Sequence, residues 1–300
     1  MSESLIWEKV KMKIMATKVN DILNYLECPR AVPTLRYLNR LIHAYVRKVP
    51  WESVSRIVKR HTTLETKDCP RWPEEFWSDA IQYGFGGTCF ESSLAFYGLL
   101  TSLGYEGYLT VNDMGASIAC HAAIVIIIHG QKYLVDITIP VHSAIKFTPY
   151  KITRRKTTFH NYTVHPIRPD IYDVERSHHS QKYAFTLIDI PVSLSEYGSI
   201  LEKDYTQKGY FLNSVVMAKI IDDKFWRFFS DHQPYRMESF DRKGKREILL
   251  SPETFTQDLA DKFQLPEDKI LAALSGIQTP VEPYEVLRPS RVFALELRAG

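Results

Sequence analysis

Cys89, His121 and Asp136 are the residues of this 300-residue chain whose types and spacing could carry covalent chemistry. Cys89 follows Gly86-Gly87-Thr88, and the run after it, Glu91 to Leu100, places Leu94, Tyr97 and Leu99 or Leu100 on one face, with Gly104 positioned to end it. That pattern puts the cysteine at a helix N-terminus, whose partial positive charge favours a thiolate. Gly86 and Gly87 remove side chains where a substrate carbonyl would approach, and backbone N–H groups there could hold a developing oxyanion. An isolated cysteine is more often a core thiol; the glycines, the helix start and partners from a sheet favour a nucleophile here.

Those partners sit on either side of a short turn. His121 opens the apolar run Ala122 to Ile128, His129-Gly130 can form a tight turn, and Asp136 lies on the returning strand. A two-residue loop pairs His121 with Thr138 and Ala123 with Asp136, making His121 and Asp136 diagonal neighbours on one face. A three-residue loop would send the two side chains to opposite faces. In the two-residue register His121 takes the Cys89 proton, Asp136 fixes the ring and favours its charged form, and Cys120 points to the other face as a core thiol.

The rest of the sequence describes what must hold these groups. Apolar residues at 45% and charged residues at 24% fit a globular chain long enough for two or three packed regions. The net charge of +3, from 38 basic and 35 acidic residues, lacks the basic excess of nucleic-acid binding. Ala122 to Ile128 is too short to cross a bilayer, so no membrane partner is expected. Glu3, Glu8 and the lysines of the first segment interrupt any signal-peptide core, which makes a cytoplasmic location the expectation. Cys28, Cys69, Cys89 and Cys120 form no CxxC pair, and His178-His179 has no ligand partner nearby in sequence, so no metal is expected.

Helical periodicity runs from Leu5 to Leu26 and again from Leu35 to Tyr45, with Pro33 before the second helix and Pro50 after it. Residues 60 to 75 read as a loop leading to a short aromatic helix around Phe76 to Ile81. From Tyr108 the pattern turns to strands, YLTV, HAAIVIII, KYLVDITI and YAFTLI, consistent with a small barrel. Lys151 to Gln181, with Arg154, Arg155 and Lys156, is polar and reads as a surface excursion. The strands NSVVMAKII, KFWRFF and REILL, then helices from Pro252 or Glu253 to Phe263 and from Glu267 to Ser275, make an α+β end.

FGGTCFE (85 to 91), HAAIV (121 to 125) and YLVDITIP (133 to 140) resemble the RGGxCFE, HxxxxV and YLVDVGFG segments of the arylamine N-acetyltransferases. TLRYLNRLIHAYVRKVPWES, FYGLLTSLGY and ETFTQDLADKFQLP extend the similarity over most of the chain. The resemblance implies an α+β protein with an N-terminal helical bundle (1–105) carrying the cysteine, a central β-barrel (106–205) carrying His121 and Asp136, and a C-terminal α/β lid (206–300). It further implies a Cys89-His121-Asp136 triad with a cysteine-protease-like core, no permanently bound cofactor, acetyl coenzyme A or another acyl coenzyme A as donor, and an arylamine, hydrazine or related amine as acceptor.

The chain departs from the family pattern at Phe85, which stands for the usual Arg, at Ser93 for Asn, and at Ile137-Thr138-Ile139-Pro140 for a glycine-bearing segment. Gly86, Gly87 and Thr138 are the candidate contacts to the donor. Thr138, on the face of Asp136 by strand parity, is expected to crowd the acyl site and make acetyl coenzyme A a poor donor. The same Cys, His, Asp order occurs in transglutaminase-like and papain-like enzymes, so amide formation or hydrolysis is the competing enzymatic reading, and a non-catalytic binding descendant is a third.

Overall fold

The computed structural model describes residues 14–138, 143–177, 182–206 and 209–277. Ile139, Pro140, His178, His179 and the beginning of the first expected helix lie outside these residues. Helices α1 (Ala16–Tyr25), α2 (Leu35–Lys48), α3 (Val54–Thr62), α4 (Pro73–Tyr83) and α5 (Cys89–Ser102) come first, with the short strand β1 (Trp51–Glu52) between α2 and α3. In α2 the Thr34 hydroxyl accepts the Tyr37 N–H at 3.2 Å, and Leu38, Leu41, Ile42 and Tyr45 form the buried face that the periodicity predicts. Helix α3 is an addition to the elements read from the sequence: only its first turn, Val54 to Ile57, is buried, so no apolar period is sustained.

Helix α5 is apolar nearly all round, and such a helix must be buried. Phe90, Leu94, Ala95, Phe96, Leu99 and Leu100 are all buried between α4 on one side and the first barrel strands on the other. Tyr45 meets Trp77 edge-on at 5.8 Å and Phe96 at 4.9 Å, and Trp77 Nε1 donates to Ala95 O at 3.0 Å. Each aromatic pair adds on the order of 1 kcal/mol beyond the area it buries. The cysteine at the start of α5 is thus mounted on one of the best-packed elements of the chain.

Eight strands follow: β2 (Glu106–Met114), β3 (Ser117–Ile128), β4 (Gln131–Val135), β5 (Ile145–Lys146), β6 (Thr153–Lys156), β7 (Asn161–Arg168), β8 (Ile171–Arg176) and β9 (Tyr183–Ile188). They form one sheet in the order β5-β4-β3-β2-β9-β8-β7-β6, and contact between β5 and β6 nearly closes it into a barrel. The apolar run of β3 is continuous because both of its faces are covered. Ala123 and Val125 join Leu134, Tyr162, Val164 and Phe185 in one cluster, while Ala122, Ile124 and Ile126 pack with the helices.

Lys151 to Gln181 is not a surface excursion. Its residues 153–176 contribute β6, β7 and β8, and alternate residues Tyr162 and Val164 of β7, then Tyr172 and Val174 of β8, are buried. The alternation was present in the sequence but masked by the polar residues that face outward between these positions.

After α6 (Leu194–Lys203), strands β10 (Val216–Ile221), β11 (Lys224–Phe229), β12 (Arg236–Asp241) and β13 (Gly244–Leu249) precede α7 (Phe255–Phe263) and α8 (Glu267–Gly276). The second sheet has the order β1-β10-β11-β12-β13, with Trp51 opposite Ala218 and Glu52 opposite Met217. Residues 51–57 therefore belong to this C-terminal assembly as much as to the first helices, since α3 also packs on α8. The architecture is α+β, with N-terminal helices, a nearly closed eight-stranded barrel and a C-terminal sheet carrying two helices. Among the described residues, no helix is long and apolar enough to cross a membrane.

The β3-β4 hairpin has the two-residue loop. Ile128 pairs with Gln131 and Ile124 with Val135, and His129 and Gly130 both have positive φ, 50° and 72°, as a type I′ turn requires. One glycine inserted between His129 and Gly130 should slip β4 by one residue and turn Asp136 off the face of His121. We expect at least a hundredfold loss in the rate of Cys89 acylation with little change in circular dichroism.

Candidate active site

The chain arrives at Cys89 through three residues whose polar groups are held by buried side chains. Gly86 N–H donates to Glu52 Oε1 at 3.0 Å, and Gly86 O accepts from Arg71 Nη2 at 2.6 Å. Gly87 O accepts from Ser92 Oγ at 3.0 Å, and the Thr88 hydroxyl is bound by Arg56 Nη1. Arg71 Nη2 also donates to Glu91 Oε2 at 2.6 Å, Arg56 Nη2 donates to Asp204 O at 2.7 Å, and the Tyr205 hydroxyl donates to Glu91 Oε1. Glu52, Arg56, Arg71 and Glu91 are each 0–1% exposed. Burial would push the Glu91 carboxyl up, but Arg71, Arg56 and Tyr205 outweigh it and hold Glu91 below the usual carboxylate range.

These contacts give the two glycines a different task from the one expected. A Cβ on Gly86 would lie 1.7 Å from Pro50 O, and one on Gly87 would lie 3.0–3.2 Å from Glu91, Arg71 and Phe76. Both are required by close packing against the protein's own interior, and the Gly86 N–H is already committed to Glu52 rather than available to an oxyanion. Thr88 stands at the N-cap of α5 without a side-chain cap bond, because its hydroxyl is held by Arg56. The first turn of α5 is therefore the better source of N–H donors toward developing negative charge.

Cys89 itself is partly exposed, and its Sγ lies 3.7 Å from Cys120 O on β3. His121 and Asp136 are 4% and 2% exposed, and His121 Nε2 donates to Asp136 Oδ2 at 2.8 Å. Asp136 follows the last ladder pair, Ile124 with Val135, by one residue, so the diagonal relation expected from the two-residue loop is the one observed. With Nε2 turned to Asp136, Nδ1 is the nitrogen left for Cys89, whose nearness favours the charged ring. Ser93 Oγ, donating to Ala122 O at 3.2 Å, ties the cysteine's helix to the histidine's strand. Phe185 packs 4.6 Å from the imidazole.

Burial alone would disfavour an imidazolium at His121. The charge and hydrogen bond of Asp136, with a contribution from Cys89, overcome it, and His121 is pushed up to about 10. Asp136 is likewise opposed by burial and yet held below its ordinary range by His121 and by Thr138. Strand parity does not reach Thr138, because β4 ends at Val135 and residues 137–138 turn away. Thr138 instead donates to Asp136 Oδ1 twice, from N at 2.9 Å and from Oγ1 at 2.8 Å. Cys120 is partly exposed rather than a core thiol; its Sγ donates to Ser117 O at 3.3 Å, and burial pushes it up to about 11.

Of the residues that hold the site, Arg56, Arg71, Asp204 and Tyr205 carry no signal in the sequence. Phe85, where the family pattern has Arg, packs in the C-terminal cluster, and the guanidinium beside Gly86 comes from Arg71 instead.

A thiol at a helix start facing a His-Asp pair on a barrel hairpin defines a thiol-dependent acyl-transfer architecture. The sequence family described as N-acetyltransferase matches residues 34–270. The chain belongs to the arylamine N-acetyltransferase family and is an acetyltransferase. A comparison with curated protein sequences gave no match. Among solved structures, the arylamine N-acetyltransferase of Salmonella typhimurium is 13% identical with a TM-score of 0.70, over 87% of this chain and 99% of that one. That of Mycobacterium marinum, solved in complex with CoA, is 15% identical with a TM-score of 0.71, over 87% and 100%. One from Bacillus cereus, with a Cys-His-Glu catalytic triad, is 15% identical with a TM-score of 0.67, over 84% and 99%.

Arg71→Met removes the cation paired with the buried Glu91 carboxylate and the donor to Gly86 O, and we expect a loss of about 3–5 kcal/mol in denaturant unfolding. For His121, the native state binds the extra proton between the unfolded value near 6.5 and the folded value of about 10. The stability it contributes is complete below about pH 6.5 and is lost as pH rises through about 10. Unfolding midpoints should accordingly fall more steeply across that window in the wild type than in His121→Gln.

Proposed function

We propose that the protein moves an acetyl or other acyl group from coenzyme A, through a thioester on Cys89, to an arylamine, hydrazine or related amine. The observation that carries the reading is the 2.8 Å His121–Asp136 bond beside a thiol at the N-terminus of a buried helix. A His121 that holds its proton through neutral pH is the form that pairs with a thiolate.

In the first half-reaction the Cys89 sulfur attacks the thioester carbonyl, and the first-turn N–H groups of α5 meet the developing oxyanion. The tetrahedral species collapses by breaking the bond to the coenzyme sulfur, which takes the proton from His121. In the second half-reaction the amine nitrogen attacks the Cys89 thioester, His121 receives a proton from that nitrogen, and the Cys89 sulfur leaves. Asp136 stays ionised throughout and keeps Nε2 engaged, so that Nδ1 remains directed at sulfur and substrate. The competing amide-hydrolysing reading shares this triad but has no use for a coenzyme thioester.

Intact mass after mixing with acetyl coenzyme A should show one added acetyl group, absent in Cys89→Ser and removed by a competent arylamine. A wild type that never acquires mass from any acyl coenzyme A would sink this reading. Within it, Asp136→Asn should lower the acylation rate by roughly 10³-fold or more. Cys120→Ala, which removes a thiol donating to Ser117 O, should stay within about tenfold.

A further inference from the structure

We propose that Thr138 is a positioning residue of the active site, extending Cys89-His121-Asp136 into a four-member relay in which its hydroxyl fixes and keeps ionised the carboxylate that orients His121. The proposal rests on the triad reading above. It begins from the two oxygens of Asp136, a carboxylate 2% exposed. Oδ2 accepts from His121 Nε2 at 2.8 Å, and Oδ1 accepts from Thr138 N at 2.9 Å and from Thr138 Oγ1 at 2.8 Å. A buried carboxylate oxygen without donors costs several kcal/mol, so the donors on Oδ1 bear on whether Asp136 is charged and where it points.

The backbone bond alone is an ordinary aspartate turn, open to any residue other than proline. The hydroxyl is particular to threonine or serine. Its O–H···O⁻ bond is charge-assisted, which makes it about twice as strong as a neutral one. It also holds the carboxylate plane from the side opposite His121. In the family segment that this stretch resembles, a glycine occupies the position, and a glycine could supply the N–H but not the hydroxyl. Thr138 is therefore accounted for by Asp136 and not by crowding of the acyl group, and it offers a reason why a bulkier residue is accommodated here.

The groups that face Asp136 from the packed elements are His121 on β3, Tyr162 on β7 and Arg176 on β8, with Cys89 of α5 reached through His121. The Arg176 charge favours the ionised Asp136, and Tyr162, pushed up by burial, stays neutral where Asp136 titrates. Hydrogen bonds from His121 and Thr138 help to hold the Asp136 carboxyl down. Removing a donor from the ionised form raises a carboxyl pKa, so the sign of the effect is fixed: without the hydroxyl, Asp136 takes up its proton at higher pH.

Thr138→Val keeps the branched shape and the N–H while deleting the hydroxyl, and Thr138→Ser restores it. Titration of the Asp136 carboxyl by carbon NMR, which needs no acyl donor, should place its midpoint about 1 pH unit higher in the valine variant and return it in the serine variant. Single-turnover acylation of Cys89 should be about tenfold slower in Thr138→Val, with the donor KM unchanged, the acid limb moved upward, and recovery in Thr138→Ser. An Asp136 midpoint equal in wild type and valine variant would overturn the proposal. So would a raised KM at constant kcat, which would make Thr138 a donor-binding residue, or a rate loss that follows melting temperature and is not rescued by serine. Failure of the acyl-transfer reading itself shows in the wild type, as an absence of any thioester, and leaves the NMR comparison interpretable.

Discussion

The buried guanidinium of Arg71 is the interaction on which the rest of the site depends. It joins the carbonyl of Gly86 to the carboxylate of Glu91, while Glu52 holds the N–H of the same glycine. A reactive side chain on a loop would sample many positions, and here the loop is removed from that freedom by buried side-chain hydrogen bonds on both sides of Gly86. Because Glu52 belongs to β1 and Arg56 to α3, the same contacts anchor the cysteine to the C-terminal sheet. Such a network is a costly way to stabilise a protein, since charges lose hydration on burial. Its return is a segment with one geometry, in which satisfied polar groups leave no low-energy alternative.

A second constraint comes from the barrel and is purely geometric. A type I′ turn of two residues sets the register of β3 and β4, and register decides which side chains share a face. His121 and Asp136 meet because the turn contains an even number of residues. Ser93 on α5, bonded to Ala122 O, brings the two constraints together by fixing the cysteine's helix against the histidine's strand. The arrangement of Cys89, His121 and Asp136 is thus the intersection of an electrostatic clamp on one side and a hairpin register on the other.

The departures from the family pattern become intelligible in these terms. Phe85 can be aromatic because the charge needed beside Gly86 arrives from Arg71, fifteen residues earlier in the chain, which frees position 85 to pack with the C-terminal helices. Thr138 can be larger than glycine because its polar atoms are taken up by Asp136. Relatives with the same fold at 13–15% identity show how loosely the sequence is tied to this architecture. The Bacillus cereus relative has a Cys-His-Glu triad, whereas in the present chain the carboxylate bonded to His121 is that of Asp136, one residue past the end of β4.

What the sequence determined by itself is whatever short-range pattern can encode. Helical periodicity marked α2 and α5, the strand runs marked β3 and β4, and the sequence offered two loop lengths for the hairpin, of which the structure has the two-residue turn that places His121 and Asp136 on one face. Local chemistry put Cys89 at a helix start. Tertiary structure alone decided the partners of the glycines, because Arg71, Arg56, Asp204 and Tyr205 converge on residues 86–91 from segments whose separation in the chain says nothing about distance. It also decided that β6, β7 and β8, within the polar stretch after Lys151, lie in the barrel, where burial of one face overrides a polar composition. Thr138 belongs to the same class. Its strand parity pointed one way, and the buried charge of Asp136 ended the strand and turned the hydroxyl inward, since an ionised carboxylate out of water binds every donor within reach.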